Sequence, residues 1–103
     1  MFFVFMLHIP SLYISESGHR GRGVFVLEDL EADNLIEICP LIIIPKDQVA
    51  TVHQTILHDY YFLYDETEEN ACIPLGYGCL YNHSHTPNAR VAFDYDDQCI
   101  HII

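Results

Sequence analysis

Leu75-Gly-Tyr-Gly-Cys-Leu-Tyr-Asn-His-Ser-His-Thr-Pro-Asn-Ala89 is the stretch in which this chain concentrates chemistry rather than packing. Gly76 and Gly78 let the backbone turn or approach another group closely. Asn82, His83, Ser84, His85, Thr86 and Asn88 gather donors and acceptors around Pro87, whose fixed φ stiffens the segment. Read on composition alone, such a stretch is an Asx-turn-rich connector that satisfies its own backbone. Read as a site, it offers an amide beside an imidazole on a stiff loop.

Two upstream stretches bear on the choice. Gly21-Arg-Gly-Val-Phe25 leads into an acidic turn and Leu35-Ile-Glu-Ile-Cys-Pro40, and Asp59-Tyr-Tyr-Phe62 falls between these and the Asn-His loop. Asn-His-Ser-x-x-Pro-Asn, with these two stretches in this order, resembles the signatures of the SET domain, the AdoMet-dependent protein-lysine methyltransferase module. The spacing is similar to that of short, single-module bacterial and viral members, and the likeness runs from about His8 to the last residue. The resemblance implies a mainly β fold of the β-clip type, with short twisted sheets and one amphipathic helix.

It also implies roles for particular residues. By position, the backbone around Arg20, Gly21, Arg22 and Gly23 faces the methionine end of S-adenosyl-L-methionine, and Asn82 and His83 contact its amino-acid and adenine parts. Tyr60 is the first candidate for the wall of a lysine channel and Tyr77 the second, while Tyr61 and Tyr81 are expected in the core. Methyl transfer needs a neutral amine aligned behind the methyl carbon, which a narrow aromatic channel favours by desolvating the amine. SET domains continue beyond the strand corresponding to Cys99-Ile-His-Ile-Ile103 into an acidic-aromatic motif that carries the tyrosine most often assigned to catalysis. That motif is not in the 103 residues, so the expectation is a C-terminally incomplete enzyme or, alternatively, a catalytically inactive binding or assembly module. Edges and apolar surface left open by such a loss favour a homodimer.

Composition sets the outer bounds. One domain spanning 1–103 is expected, near the small end of what folds alone. Half of the residues are hydrophobic and 13% aromatic, which excludes a disordered tail. Fifteen acidic against four basic side chains leave a formal charge of −11, unsuited to binding nucleic acid and suited to a basic, lysine-bearing protein. Cys39, Cys72, Cys79 and Cys99 form no C-x-x-C pair and read as free thiols of an intracellular, reducing compartment. No metal centre is expected: His53 and His58 are five apart, and the His83-x-His85 pair has no second cluster. The apolar opening, Met1 to Leu7, is too short to cross a bilayer and has no basic n-region.

The remaining pattern is one of short strands. Residues 3–9 and 11–15 are strand-like, and Ser15 to Gly23 is a loop with three glycines in six residues. G-x-x-G-x-G here precedes the strand Val24–Leu27 and not a helix, so Rossmann geometry is excluded. Leu35 to Ile44 reads as a buried strand bending at Pro40. Val49, Val52, Ile56 and Leu57 are spaced for one amphipathic helix of about three turns over Lys46 to His58. Tyr60–Tyr64 and Ala71–Leu75 read as strands, and Ala89–Tyr95 with Gln98–Ile103 as a terminal hairpin.

Overall fold

A computed structural model describes residues 7–18, 21–65, 69–82 and 87–103. Among the described residues, eight strands and one α-helix follow in order: β1 Leu7–His8, β2 Leu12–Glu16, β3 Arg22–Val26, β4 Glu37–Ile44, α1 Lys46–His53, β5 Phe62–Leu63, β6 Ala71–Pro74, β7 Val91–Asp94 and β8 Cys99–Ile102. Two 3-10 turns, Ile56–Asp59 and Gly78–Leu80, also lie among the described residues. The larger sheet runs β5-β6-β4-β8-β7, with β1 also on β4, and β2 with β3 forms a separate ribbon. The mainly β expectation is therefore met; residues 3–6 of the first expected strand lie outside the described residues, and the other strands fall within a few residues of their sequence-based bounds.

β4 is the strand on which the sheet is built, because it changes partner along its length. Its first half pairs with β8 from Glu37↔Ile102 to Pro40↔Cys99 and with β1 at Glu37 and Ile38; its second half pairs with β6 from Leu41↔Pro74 to Ile44↔Ala71. Pro40 sits at the changeover. Its carbonyl accepts from the Leu75 N–H at 2.8 Å, on the β6 side, so the donor that proline lacks would also point to that side, between the last β1 pair and the first β6 pair. A proline is tolerated in a central strand where no ladder partner is lost.

The core lies where β4 crosses β8. Cys39, Ile100 and Ile102 are fully buried or nearly so, with Ile36, Leu41, Tyr81, Ala89 and Phe93 packed around them. Two details depart from a simple reading of the Leu35–Ile44 run. Ile42, in its apolar middle, is 53% exposed, whereas Glu37, the one acidic residue in it, is completely buried.

The expected three-turn helix is corrected to two turns plus a 3-10 turn. α1 ends at His53 because Thr55 takes an extended conformation (φ −107°, ψ 176°) and caps the next turn. Its hydroxyl donates to the Val52 carbonyl at 2.6 Å and accepts from the Leu57 N–H at 3.1 Å. A threonine that bonds its own backbone on both sides competes with helix continuation. Ile56, placed by periodicity on the apolar face, is consequently 78% exposed.

Candidate functional site

Ser17 organises the glycine loop. Its N–H and its hydroxyl both donate to the Gly21 carbonyl, at 2.6 and 2.8 Å, closing a tight turn in which Gly18 and Gly21 have φ near +70°. Those angles lie in the left-handed region that glycine adopts without penalty. The Ser17 hydroxyl also accepts from Asn82 Nδ2 at 3.0 Å, across 65 residues of chain. This is the joint between the loop and the Asn-His segment.

Gly23 shows how close that approach is. A Cβ on Gly23 would lie 2.7 Å from Asn82 Nδ2 and 3.3 Å from Ser17 Cβ, so any side chain would displace the amide. Gly21, Arg22 and Asn82 line a hollow of about 550 Å³ together with Asp59, Tyr60, Tyr61, Leu80, Tyr81 and Phe93. Tyr60 is held there by the 3-10 turn before it, its N–H donating to the Leu57 carbonyl at 2.9 Å. Tyr61 hydrogen-bonds through its hydroxyl to His53 Nδ1 at 2.9 Å, which ties the end of α1 to the same lining.

Of the residues singled out in the sequence, the structure brings Gly21, Arg22, Gly23, Asn82 and Tyr60 together. Arg20 and His83 lie outside the described residues, as does His85. Tyr77 stands apart from the hollow: its ring stacks on His8 with centroids 5.1 Å apart, and its N–H donates to Glu37 Oε2 at 2.8 Å. Tyr61, expected in the core, instead lines the hollow; Tyr81 does pack on the core and also borders the hollow.

Two neighbours of the candidate site escaped the sequence reading. Ser17 was only one polar residue of a glycine-rich loop, although its position four residues before Gly21 is what a side-chain-closed turn needs. Glu37 carries no role in the sequence reading of the Leu35–Ile44 run, yet it accepts from the Tyr77 N–H and, at 2.6 Å, from the Tyr81 hydroxyl. Burial, the bond to Glu37 and that carboxylate's charge push the Tyr81 hydroxyl far above the usual phenol range, so it remains a donor. Since Tyr81 immediately precedes Asn82, Glu37 fixes the backbone from which the amide reaches Ser17.

Comparison with known proteins places the chain in a family. The SET domain profile matches residues 21–103. The chain belongs to the SET domain family. This SET domain is similar to a histone-lysine N-methyltransferase, H3 lysine-37 specific, of Schizosaccharomyces pombe, with 35% identity over 78 residues, or 75% of the chain. The chain spans about half the length of that curated relative, 52%. It also resembles the crystal structure of a candidate histone methyltransferase of Plasmodium falciparum, with a TM-score of 0.64 and 34% identity over 89% of this chain and 77% of the other. The curled sheets and single helix are thus those of the SET fold.

Proposed function

We propose that this SET domain binds S-adenosyl-L-methionine in the hollow between the glycine loop and Asn82 and transfers its methyl group to a lysine side chain of a protein. The observation that carries the reading is the contact of Asn82 with Ser17 and Gly23, which makes one site of two segments 65 residues apart. The residues present fit the cofactor. Glycine backbone at Gly21 and Gly23 can approach it closely, and the Asn82 amide offers both a donor and an acceptor. Arg22 and Asp59, both in the lining of the hollow, offer a carboxylate and a cationic group each an opposite charge.

When bound, the cofactor supplies an electrophilic methyl group on a sulfonium. The chain's own contribution is position and dryness. Tyr60 and Tyr61 present aromatic surface to the hollow, where an incoming lysine amine would be partly desolvated and its pKa lowered toward the neutral, nucleophilic form. Gly23 keeps the loop tight against Asn82, and Glu37 holds Tyr81 so that the amide does not swing away.

A basic, lysine-bearing protein is the proposed substrate, supported by the charge of −11 and by the histone specificity of the yeast relative. An intracellular site of action, nuclear in a eukaryote, goes with that substrate and with four free cysteines; among the described residues no helix is long and apolar enough to cross a membrane. Self-association belongs to the same proposal. Among the described residues β5 and β7 are the edge strands of the sheet, and Leu63 and Ile42 are 69% and 53% exposed. A sedimentation coefficient that does not change with concentration and corresponds to a monomer would remove that part.

The decisive experiment is calorimetric titration with S-adenosyl-L-methionine, followed by mass spectrometry of a lysine-rich peptide after incubation. Saturable binding that Asn82→Ala weakens by at least ten-fold, with methyl groups on lysine, is the expected result. Absence of binding by folded protein defeats the cofactor reading. Binding without transfer favours an inactive SET-like binding module.

A further inference from the structure

We propose that Asp94, Cys99 and His101 form a zinc(II) site on the β7–β8 hairpin, separate from the hollow described above. Asp94 and Cys99 are register partners across the hairpin, and His101 follows Cys99 by two positions, so all three side chains leave the same face of the sheet. Asp94 oxygen, Cys99 Sγ and a His101 ring nitrogen all lie within 4.8 Å of one another. Tetrahedral zinc with ligand distances of about 2.0–2.3 Å sets its ligands roughly 3.3–3.8 Å apart, which small side-chain rotations reach from here.

The surroundings suit an ion. Asp94 Oδ1 accepts the Asp97 N–H at 3.1 Å, which anchors the carboxylate and leaves its second oxygen available. Cys99 is free and only 5% exposed, whereas Asp94 and His101 also border a surface hollow of about 460 Å³ together with Asp96. The ion would rest on the thiolate and keep its fourth position toward that hollow, where water can occupy it. A thiolate, an imidazole and a carboxylate together suit zinc better than calcium or magnesium, which prefer oxygen alone. Binding forms one sulfur–zinc bond as the thiol proton is released to solvent, with no change of oxidation state. The ion would fasten the outermost strand β7 to β8, which carries the core residues Ile100 and Ile102.

The sequence hides this site because D-x4-C-x-H is not a recognised ligand spacing; pairing across the hairpin creates it. The proposal does not depend on methyl transfer, and its test reads metal directly. Chelator-treated protein is titrated with cobalt(II) and then with zinc(II). The expected result is one equivalent of tetrahedral cobalt with a thiolate charge-transfer band, displaced by zinc. The Tm should rise by roughly 10–20 °C at a hundred-fold excess over Kd. Cys99→Ser should abolish the band, and Asp94→Asn and His101→Gln should each weaken binding at least ten-fold. Cys79→Ser, as control, should leave it unchanged. Should Cys99→Ser compromise folding, His101→Gln, at a half-buried surface position, carries the decision alone. No tetrahedral cobalt spectrum at micromolar metal, or undiminished binding by His101→Gln, would overturn the proposal.

Discussion

At the scale of single residues, Glu37 connects the core to the site. It is completely buried, and its two oxygens satisfy the Tyr77 N–H and the Tyr81 hydroxyl. Glu37→Ala leaves two donors without an acceptor and should destabilise by roughly 2–5 kcal/mol, while Glu37→Gln retains one carbonyl and should cost about half as much. Urea unfolding of both variants gives the comparison, and equal stability of all three proteins would contradict the arrangement. Gly23→Ala tests the joint itself. Its Cβ must push Asn82 Nδ2 from 2.7 Å to normal contact, with an expected cost of about 1–3 kcal/mol and, on the proposed function, a loss of S-adenosyl-L-methionine affinity larger than that of stability. An alanine variant that binds as tightly as wild type would show that the close approach has no bearing on the cofactor.

At the scale of elements, the break between α1 and the following 3-10 turn positions Tyr60 and Tyr61. Thr55 makes that break with two hydrogen bonds to its neighbours' backbone. Thr55→Ala should lower stability by about 1 kcal/mol and loosen the placement of Tyr60 and Tyr61, read as a fall in Tm of several degrees and weaker binding at the proposed cofactor site. A variant with unchanged Tm would mean that packing alone sets the turn. Periodicity located the segment but overran its end, because Val49, Val52, Ile56 and Leu57 fit one helical face whether or not Thr55 interrupts it. The strands were more legible. Their β-branched and aromatic runs bounded by glycine, proline and acidic turns leave few other solutions, and the terminal hairpin fell as expected around Asp94–Gln98.

For the molecule as a whole, burial of thiols and of Tyr81 couples stability to alkaline pH. Burial and the neighbouring Cys79 push the Cys72 thiol from 9.0 up to about 11, and Cys39 and Tyr81 are raised further by burial with the added influence of Glu37. Each group is more readily ionised in the unfolded chain, so between about pH 9 and 11 the unfolded state binds fewer protons and stability falls as pH rises. Below pH 9 the contribution is complete. Cys72→Ala should flatten this decline by roughly 2 kcal/mol over that window, seen by denaturant unfolding at pH 8 and at pH 11. A decline of equal slope in the variant would assign it to other groups.

The sequence by itself determined the mainly β class and the succession of strands, and its resemblance to SET domains marked out the two segments of the proposed site. These are properties of local pattern: small residues where the backbone must turn, alternating or continuous apolar runs where it must pair, and an amide beside a stiffened loop. Only tertiary structure decided that Ser17 joins the two segments, that Tyr60 and Tyr61 but not Tyr77 border the hollow, and that Glu37 is the buried acid beneath them. It also decided that Asp94, Cys99 and His101 converge. Each of these depends on register between strands or on contacts across tens of residues, and such distances are set by the three-dimensional closure of the sheet around β4 rather than by any residue's neighbours in the chain.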